Sequence, residues 1–400
     1  MIMRGRGQHL SEIRYAERLK NMQGNVIREI LKLTQQPDII SFAGGLPSPD
    51  SFPVEVLAEI AREVILDKRD ILQYGTTEGY LPLREFIAGW VKGIGIEATT
   101  EEVVITSGSQ QGIDLIAKAM IDKGDTAVVE SPTYLAAIQI LKTYQANFAV
   151  AHGDHEGVSV DELEETIARE NPKIAYLVPT FQNPTGITLS LERRKAVGAL
   201  LAHHNTVLVE DDPYGRLSFT DEVMPAIKAY DSSQRVVYLG SFSKLVSPGL
   251  RLGFAVGEPS LLRKMVIGKQ GADVHTNNLA QAMVYEFCRR GHLEPHIQSI
   301  RTQYGHKLKV MQDCLKELPA HIKWTSPTGG LFIWGELPQG MDAGQLLVAA
   351  IKEKVAFIPG ESFFVEGGHK HTMRLNFSNA TPDNIREGMR RLKVALQNYR

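Results

Sequence analysis

The chain has 400 residues, with Lys+Arg 44 against Asp+Glu 46 and a net charge of -2. Hydrophobic residues make up 43% and charged residues 22%, a globular balance that excludes disordered, collagen-like and coiled-coil chains. It has no long basic block to form a nucleic-acid footprint, no apolar run near the roughly 18 residues of a membrane span, and too few cysteines (Cys288 and Cys314) for a disulfide framework.

The N-terminus carries Arg4 and Arg6 without the apolar core of a secretory signal, so a cytoplasmic protein is expected. Residues 25–34 read as a short amphipathic helix. Residues 42–53, rich in Gly, Pro and Ser, read as a loop or hinge. From about 100 to 257, short β-branched runs at 103–106, 127–129, 174–178, 207–211, 236–239 and 252–256 are interleaved with helical patterns at 110–123, 161–170 and 191–204. Continuous apolar strands joined by helices predict an α/β domain whose mostly parallel sheet is covered on both faces. A long helix at 294–318 follows. Segments at 322–325, 331–334, 355–357 and 374–377, with helices at 343–354 and 382–397, then predict a smaller α+β domain.

Ligands of open parallel sheets bind beyond the carboxyl ends of the strands, so the residues after each strand carry the argument. Ser107-Gly108-Ser109-Gln110 opens a helix and suits a phosphate, though a glycine turn and an N-capped helix read the same way. Asn183-Pro184-Thr185-Gly186 is turn chemistry that aims an amide at the ligand edge. Asp211 and Asp212 are either a magnesium site or, taking Asp211 with Tyr214, a carboxylate and a phenol leaving one strand end. Lys244 lies among Ser241, Ser243 and Ser247, where partial desolvation would make its amine a nucleophile; Arg251 follows at a distance suited to a second phosphate contact. One ligand uses all of these groups: the phosphorylated pyridine aldehyde pyridoxal 5'-phosphate (PLP).

With these motifs and Arg374-Leu375-Asn376-Phe377, the sequence resembles the fold-type I PLP-dependent aminotransferases of class I/II. Phe42-Ala43-Gly44-Gly45-Leu46-Pro47, Gln73-Tyr74, Thr106 to Gln111 and Lys269-Gln270-Gly271-Ala272-Asp273 look like the 2-aminoadipate aminotransferase subgroup. The resemblance implies a large domain at 46–290 with a seven-stranded sheet, and a small domain at 291–400 joined by the N-terminal segment 1–45. It implies Lys244 as the amine that joins the cofactor, Asp211 at the pyridine nitrogen, and Tyr214 and Asn183 at the ring oxygen. Tyr134 would stack on the ring, and Ser109, Gln110, Ser241, Ser243 and Arg251 would hold the phosphate. Tyr74 would reach the neighbouring site of a homodimer. Arg374, Asn183 and Gly45 would bind the substrate, and Arg28 would meet a distal carboxylate. Asn25 departs from the small hydroxyl residue of some relatives.

The implied activity is amino transfer from an L-amino acid (2-aminoadipate, glutamate, aromatic or branched-chain) to a 2-oxo acid such as 2-oxoglutarate, with ping-pong kinetics. Two other readings remain: a PLP-dependent lyase or decarboxylase, and a MocR-like effector module. About 40 residues precede Phe42, too few for the winged helix that MocR regulators carry. The histidines at 152, 155, 203, 204, 369 and 371 lack zinc-motif spacing, so no metal is expected.

Overall fold

The computed structural model describes residues 15–20 and 38–399. The helix expected at 25–34, with Asn25 and Arg28, lies outside the described residues.

The first strand, β1 (Ile40–Ser41), stands apart from the next eight. These are β2 (Val103–Thr106), β3 (Thr126–Ser131), β4 (Asn147–Asp154), β5 (Gly157–Val158), β6 (Ile174–Leu177), β7 (Val207–Asp212), β8 (Val236–Ser241) and β9 (Gly253–Val256). They form one sheet in the order β2-β9-β8-β7-β6-β3-β4-β5. The expected seven strands are present, and the two-residue β5 adds an eighth by turning back antiparallel on β4. β2, β6, β8 and β9 are buried at every position, which is why their sequences are apolar or small on both faces, with no charged residue, rather than alternating.

Strand direction brings the chemistry to one edge. β3, β4, β6, β7 and β8 are mutually parallel, so the residues that follow them emerge on the same side. β9 is antiparallel to both β2 and β8 and therefore begins where they end, which brings the preceding Arg251 to that edge.

The long helix Leu293–Leu315 leads to the second sheet. It buries Leu293, Ile297, Ile300, Tyr304, Leu308, Met311 and Leu315, the three-and-four spacing of one helical face. Beyond it, β10 (Lys323–Trp324), β11 (Phe332–Glu336), β13 (Ile358–Pro359) and β14 (Thr372–Asn376) form an antiparallel sheet in the order β10-β11-β14-β13. The single strand expected at 355–357 is two. β12 (Val355–Ala356) pairs with β1, and after Phe357 the chain changes sheets to pair with β14. The final helix spans Pro382–Gln397, as its N-terminal Thr-Pro predicts, and Thr381 caps it by accepting from Asn384 N–H.

The expected loop after β1 stitches the two parts together. Phe42 N–H donates to Ala356 O at 2.8 Å, and Asn376 N–H donates to Phe42 O at 2.8 Å. Ser48 N–H donates to the Tyr304 hydroxyl at 2.9 Å. Gly45 is thereby carried over the edge of the large sheet.

Candidate active site

The acidic run Glu210-Asp211-Asp212 ends β7, and the period of two sorts its members. Glu210 and Asp212 share one face. Glu210 accepts from Ile227 and Lys228 N–H, while Asp212 accepts from the Tyr238 hydroxyl and Gly215 N–H. Asp211 faces the other way and is 2% exposed. This geometry removes the magnesium reading, because neighbouring carboxylates on opposite faces cannot share an ion. Among the described residues no group of three or more metal-binding side chains is assembled.

Asp211 is only half satisfied. Its Oδ2 accepts a hydrogen bond from the Tyr176 hydroxyl at 2.7 Å, and its Oδ1 is buried with no hydrogen-bond partner. Burial pushes the carboxyl up to about 7, and the bond from Tyr176 opposes that shift. An unpartnered buried carboxylate oxygen costs free energy unless a donor arrives. A protonated pyridine nitrogen is such a donor.

Lys244 follows β8. Its Nζ donates to Gly45 O at 2.8 Å. Burial, aided by the positive charges of Arg251 and Arg374, lowers its ammonium to about 8. An amine poised near neutrality can attack a carbonyl or carry a proton.

Gly108 precedes the helix Ser109–Met120 at φ +85, a conformation that suits glycine. A Cβ there would lie 2.7 Å from Arg251 Nη2, so only glycine lets that guanidinium lie against the turn. Ser109 opens the helix. Ser241 and Ser243 are buried at the next strand end, with Ser243 N–H donating to Ser241 Oγ at 3.1 Å. Backbone donors, hydroxyls and one guanidinium thus converge as a phosphate requires. Gln110 is on the same first turn and is exposed.

Arg374 comes from β14 and is 2% exposed. Its Nη1 donates to Asn183 Oδ1 at 2.6 Å and its Nη2 to Ala43 O at 2.8 Å; its Nε has no partner. The guanidinium carbon sits 4.3 Å from the Phe332 ring centroid and 5.1 Å from that of Phe363. Burial lowers the guanidinium to about 10, an environment that favours an incoming carboxylate. Tyr214 is buried within hydrogen-bonding reach of Asn183, and its phenol is pushed up by burial. Tyr134, at the start of the helix Leu135–Thr143, feels the charges of Asp211, Arg374 and Arg251 and is pushed up to about 12, mainly by burial.

One expected member stays outside this cluster. Tyr74 is 80% exposed, and its ring meets His275 edge-on at 5.8 Å. Sequence reasoning misses three supports. Tyr176, Phe332 and Phe363 look like core, although a buried tyrosine hydroxyl needs a partner and so advertises one. Lys269 and Asp273 belong to a motif whose role only the structure supplies. The fully buried Lys269 Nζ bonds both Asp273 oxygens at 2.8 Å and Gln111 Oε1 at 2.9 Å, and Asp273 Oδ2 also accepts from Ser107 Oγ. This network ties Ser107 and Gln111, on either side of the expected phosphate turn, to the helix that carries Lys269.

The sequence profile described as aminotransferase class I and II matches residues 37–392. The chain belongs to this family. This aminotransferase is 43% identical over 392 residues to aromatic-amino-acid aminotransferase 1 of Thermococcus litoralis, covering 96% of this chain and 94% of that one. Its structure is similar to Pyrococcus horikoshii kynurenine aminotransferase in complex with PMP (TM-score 0.92, 42% identity, 96% of both chains). It is also similar to the alpha-aminoadipate aminotransferase of Thermus thermophilus, complexed with N-(5'-phosphopyridoxyl)-L-leucine (TM-score 0.89, 41% identity, 96% of this chain and 97% of that one). The enzyme is therefore a PLP-dependent aminotransferase of fold type I, and the residues at its sheet edge fit that cofactor.

Proposed function

We propose that this aminotransferase takes the amino group of aromatic, branched-chain, 2-aminoadipate- or glutamate-type L-amino acids and passes it to a 2-oxo acid such as 2-oxoglutarate. The observation that carries this reading is the pairing of the Lys244 amine with a buried guanidinium, Arg374, whose Nε is free. An α-amino acid presents an amine and a carboxylate on one carbon, which matches that pair. Three relatives described by aromatic amino acids, kynurenine and an aminoadipate enzyme holding a leucine adduct support a broad range of side chains.

When bound, PLP supplies an electrophilic aldehyde and a ring that spreads the electron pair left at the substrate Cα. The chain's own groups do the rest. Lys244 would be the amine that holds the aldehyde, and its freed Nζ would carry the proton between the substrate Cα and the cofactor's C4′. Arg374 orients the substrate through its carboxylate. Asp211 would hold a proton on the ring nitrogen, Tyr214 and Asn183 would bond the ring oxygen, and Tyr134 would stack on the ring. Ser109, Gln110, Ser241, Ser243 and Arg251 would hold the phosphate, with Tyr74 of a second copy in a homodimer. Arg28 would meet the distal carboxylate of acidic donors.

An amino-donor panel against 2-oxoglutarate tests this, using glutamate, 2-aminoadipate, leucine, methionine, phenylalanine, tyrosine and kynurenine. The expected result is turnover of several donors with parallel double-reciprocal lines. Release of pyruvate or ammonia with no oxo-acid acceptor would replace amino transfer with a lyase reaction. Arg28→Ala is expected to lower kcat/KM for 2-aminoadipate and glutamate while sparing leucine and phenylalanine.

A further inference from the structure

We propose that Tyr176 is a positioning residue for this reaction: by bonding one oxygen of Asp211 it presents the other to the cofactor's ring nitrogen and keeps the shared proton on that nitrogen. The proposal rests on the reading of Asp211 as the ring-nitrogen partner.

The sheet register builds the contact. Tyr176 on β6 pairs with Val209 on β7, and Asp211 lies two residues further along the same face. The tyrosine is fully buried, so its hydroxyl proton has to go to a neighbour, and it goes to Asp211 Oδ2 at 2.7 Å. The nearby acid Glu130 does not compete. Val129 pairs with Tyr176, so Glu130 turns to the opposite face, where its Oε1 accepts from Val178 N–H at 2.8 Å. There it lines a separate cavity of about 440 Å³ between the two sheets.

The result is a carboxylate with two unlike ends. Oδ2 is fixed from within the sheet. Oδ1 has no partner of its own and is buried. A carboxylate free to rotate could present either oxygen; this one cannot without breaking the phenol bond. The donated bond also disperses the negative charge of Asp211. Between a carboxylate and a ring nitrogen that share one proton, dispersing that charge leaves the proton on nitrogen. Loss of the hydroxyl concentrates the charge and draws the proton toward Asp211. A ring without that proton is a poorer electron sink, so the effect falls on turnover rather than on substrate binding.

The test is Tyr176→Phe holoenzyme loaded with PLP labelled with ¹⁵N in the ring, beside wild type and Asp211→Ala. In wild type the ¹⁵N signal is expected at the protonated position. In Tyr176→Phe it is expected to move toward the unprotonated position, with kcat down about tenfold to a hundredfold, the range of one hydrogen bond to a charged group. KM for the amino donor is expected to stay within about twofold, because Arg374 still binds the carboxylate. A wild-type nitrogen signal in Tyr176→Phe overturns the proposal, even with a lowered Tm, and leaves the tyrosine a core residue. Should Asp211→Ala also keep the wild-type signal, the Asp211 reading itself fails. If Tyr176→Phe yields no soluble holoenzyme, Tyr176→Leu, which likewise lacks the donor, is read in the same way: a shifted nitrogen signal is expected, and a wild-type one overturns the proposal.

Discussion

Arg374 Nη1 donates to Asn183 Oδ1 at 2.6 Å, joining the small sheet to the loop that leaves β6 of the large one. The guanidinium is thus aimed from both parts of the molecule before any substrate arrives. Such preorganisation lowers the cost of ordering the clamp on binding. Arg374→Ala is expected to raise KM about a hundredfold for amino acids and 2-oxo acids alike, the loss of a charged two-point contact. Steady-state kinetics with donors of different side chains check this. An effect confined to acidic donors would reassign the residue.

Lys244 burdens the protein when the cofactor is removed. Its ammonium is lowered from 10.5 to about 8, so the folded chain binds fewer protons than the unfolded chain between those values. The cost is fully present below pH 8 and fades as pH rises toward 10.5. Apo Lys244→Met is therefore expected to be more stable than apo wild type at pH 7, on the order of 3 kcal/mol by linkage, with the gap closing above pH 8. Urea unfolding at several pH values measures it.

Asp211 titrates with the opposite sign. Burial raises it from 3.8 to about 7, so its ionisation destabilises the apo fold as pH rises through 7. Apo Asp211→Asn is expected to gain stability over apo wild type above pH 7 and to lose that advantage below pH 4. Thermal melts of both apo proteins across that range check the prediction.

The Lys269–Asp273 network beside the expected phosphate turn offers a test of support at a distance. Asp273→Ala leaves Lys269 buried without its carboxylate, which is expected to cost about 3 kcal/mol of stability. PLP affinity is expected to fall too, because Ser107 and Gln111 lose their shared acceptor. Asp273→Asn, which keeps an oxygen acceptor, is expected to do less harm. Cofactor titration and melting curves report both effects.

The exposed Tyr74 tests the expectation of a shared site. Separately inactive Lys244→Ala and Tyr74→Ala proteins are expected to recover activity when mixed and reassembled. Half of randomly paired dimers are mixed and carry one intact site of two, so recovery approaches about a quarter of wild type. No recovery would place Tyr74 outside the site.

The strand ends of the candidate site were legible because each lies next to a short apolar run in the sequence. β2, β6, β7 and β8 are buried on both faces, so apolar residues announce them; Ser109, Asn183 and Lys244 come soon after their strands end, and Asp211 lies inside β7. β4 was not legible. As a near-edge strand it mixes Asn147, His152 and Asp154 with alanines and is mostly half-exposed or exposed. β1 has two residues, too few for any period. The Asn183–Arg374 bond spans 191 residues, and no local pattern encodes such a meeting. Tyr176 was hidden differently: in an apolar strand a tyrosine looks like packing until its hydroxyl's destination is known.

The neighbouring acids of β7 face opposite ways, and each has its own hydrogen-bonding partners. Gain or loss of a single codon between Val207 and Glu210 would rotate this row by one place. The cofactor and the Tyr176 hydroxyl would then both meet Glu210 or Asp212 in place of Asp211. Directed-evolution libraries for this enzyme should therefore keep the length of that strand fixed.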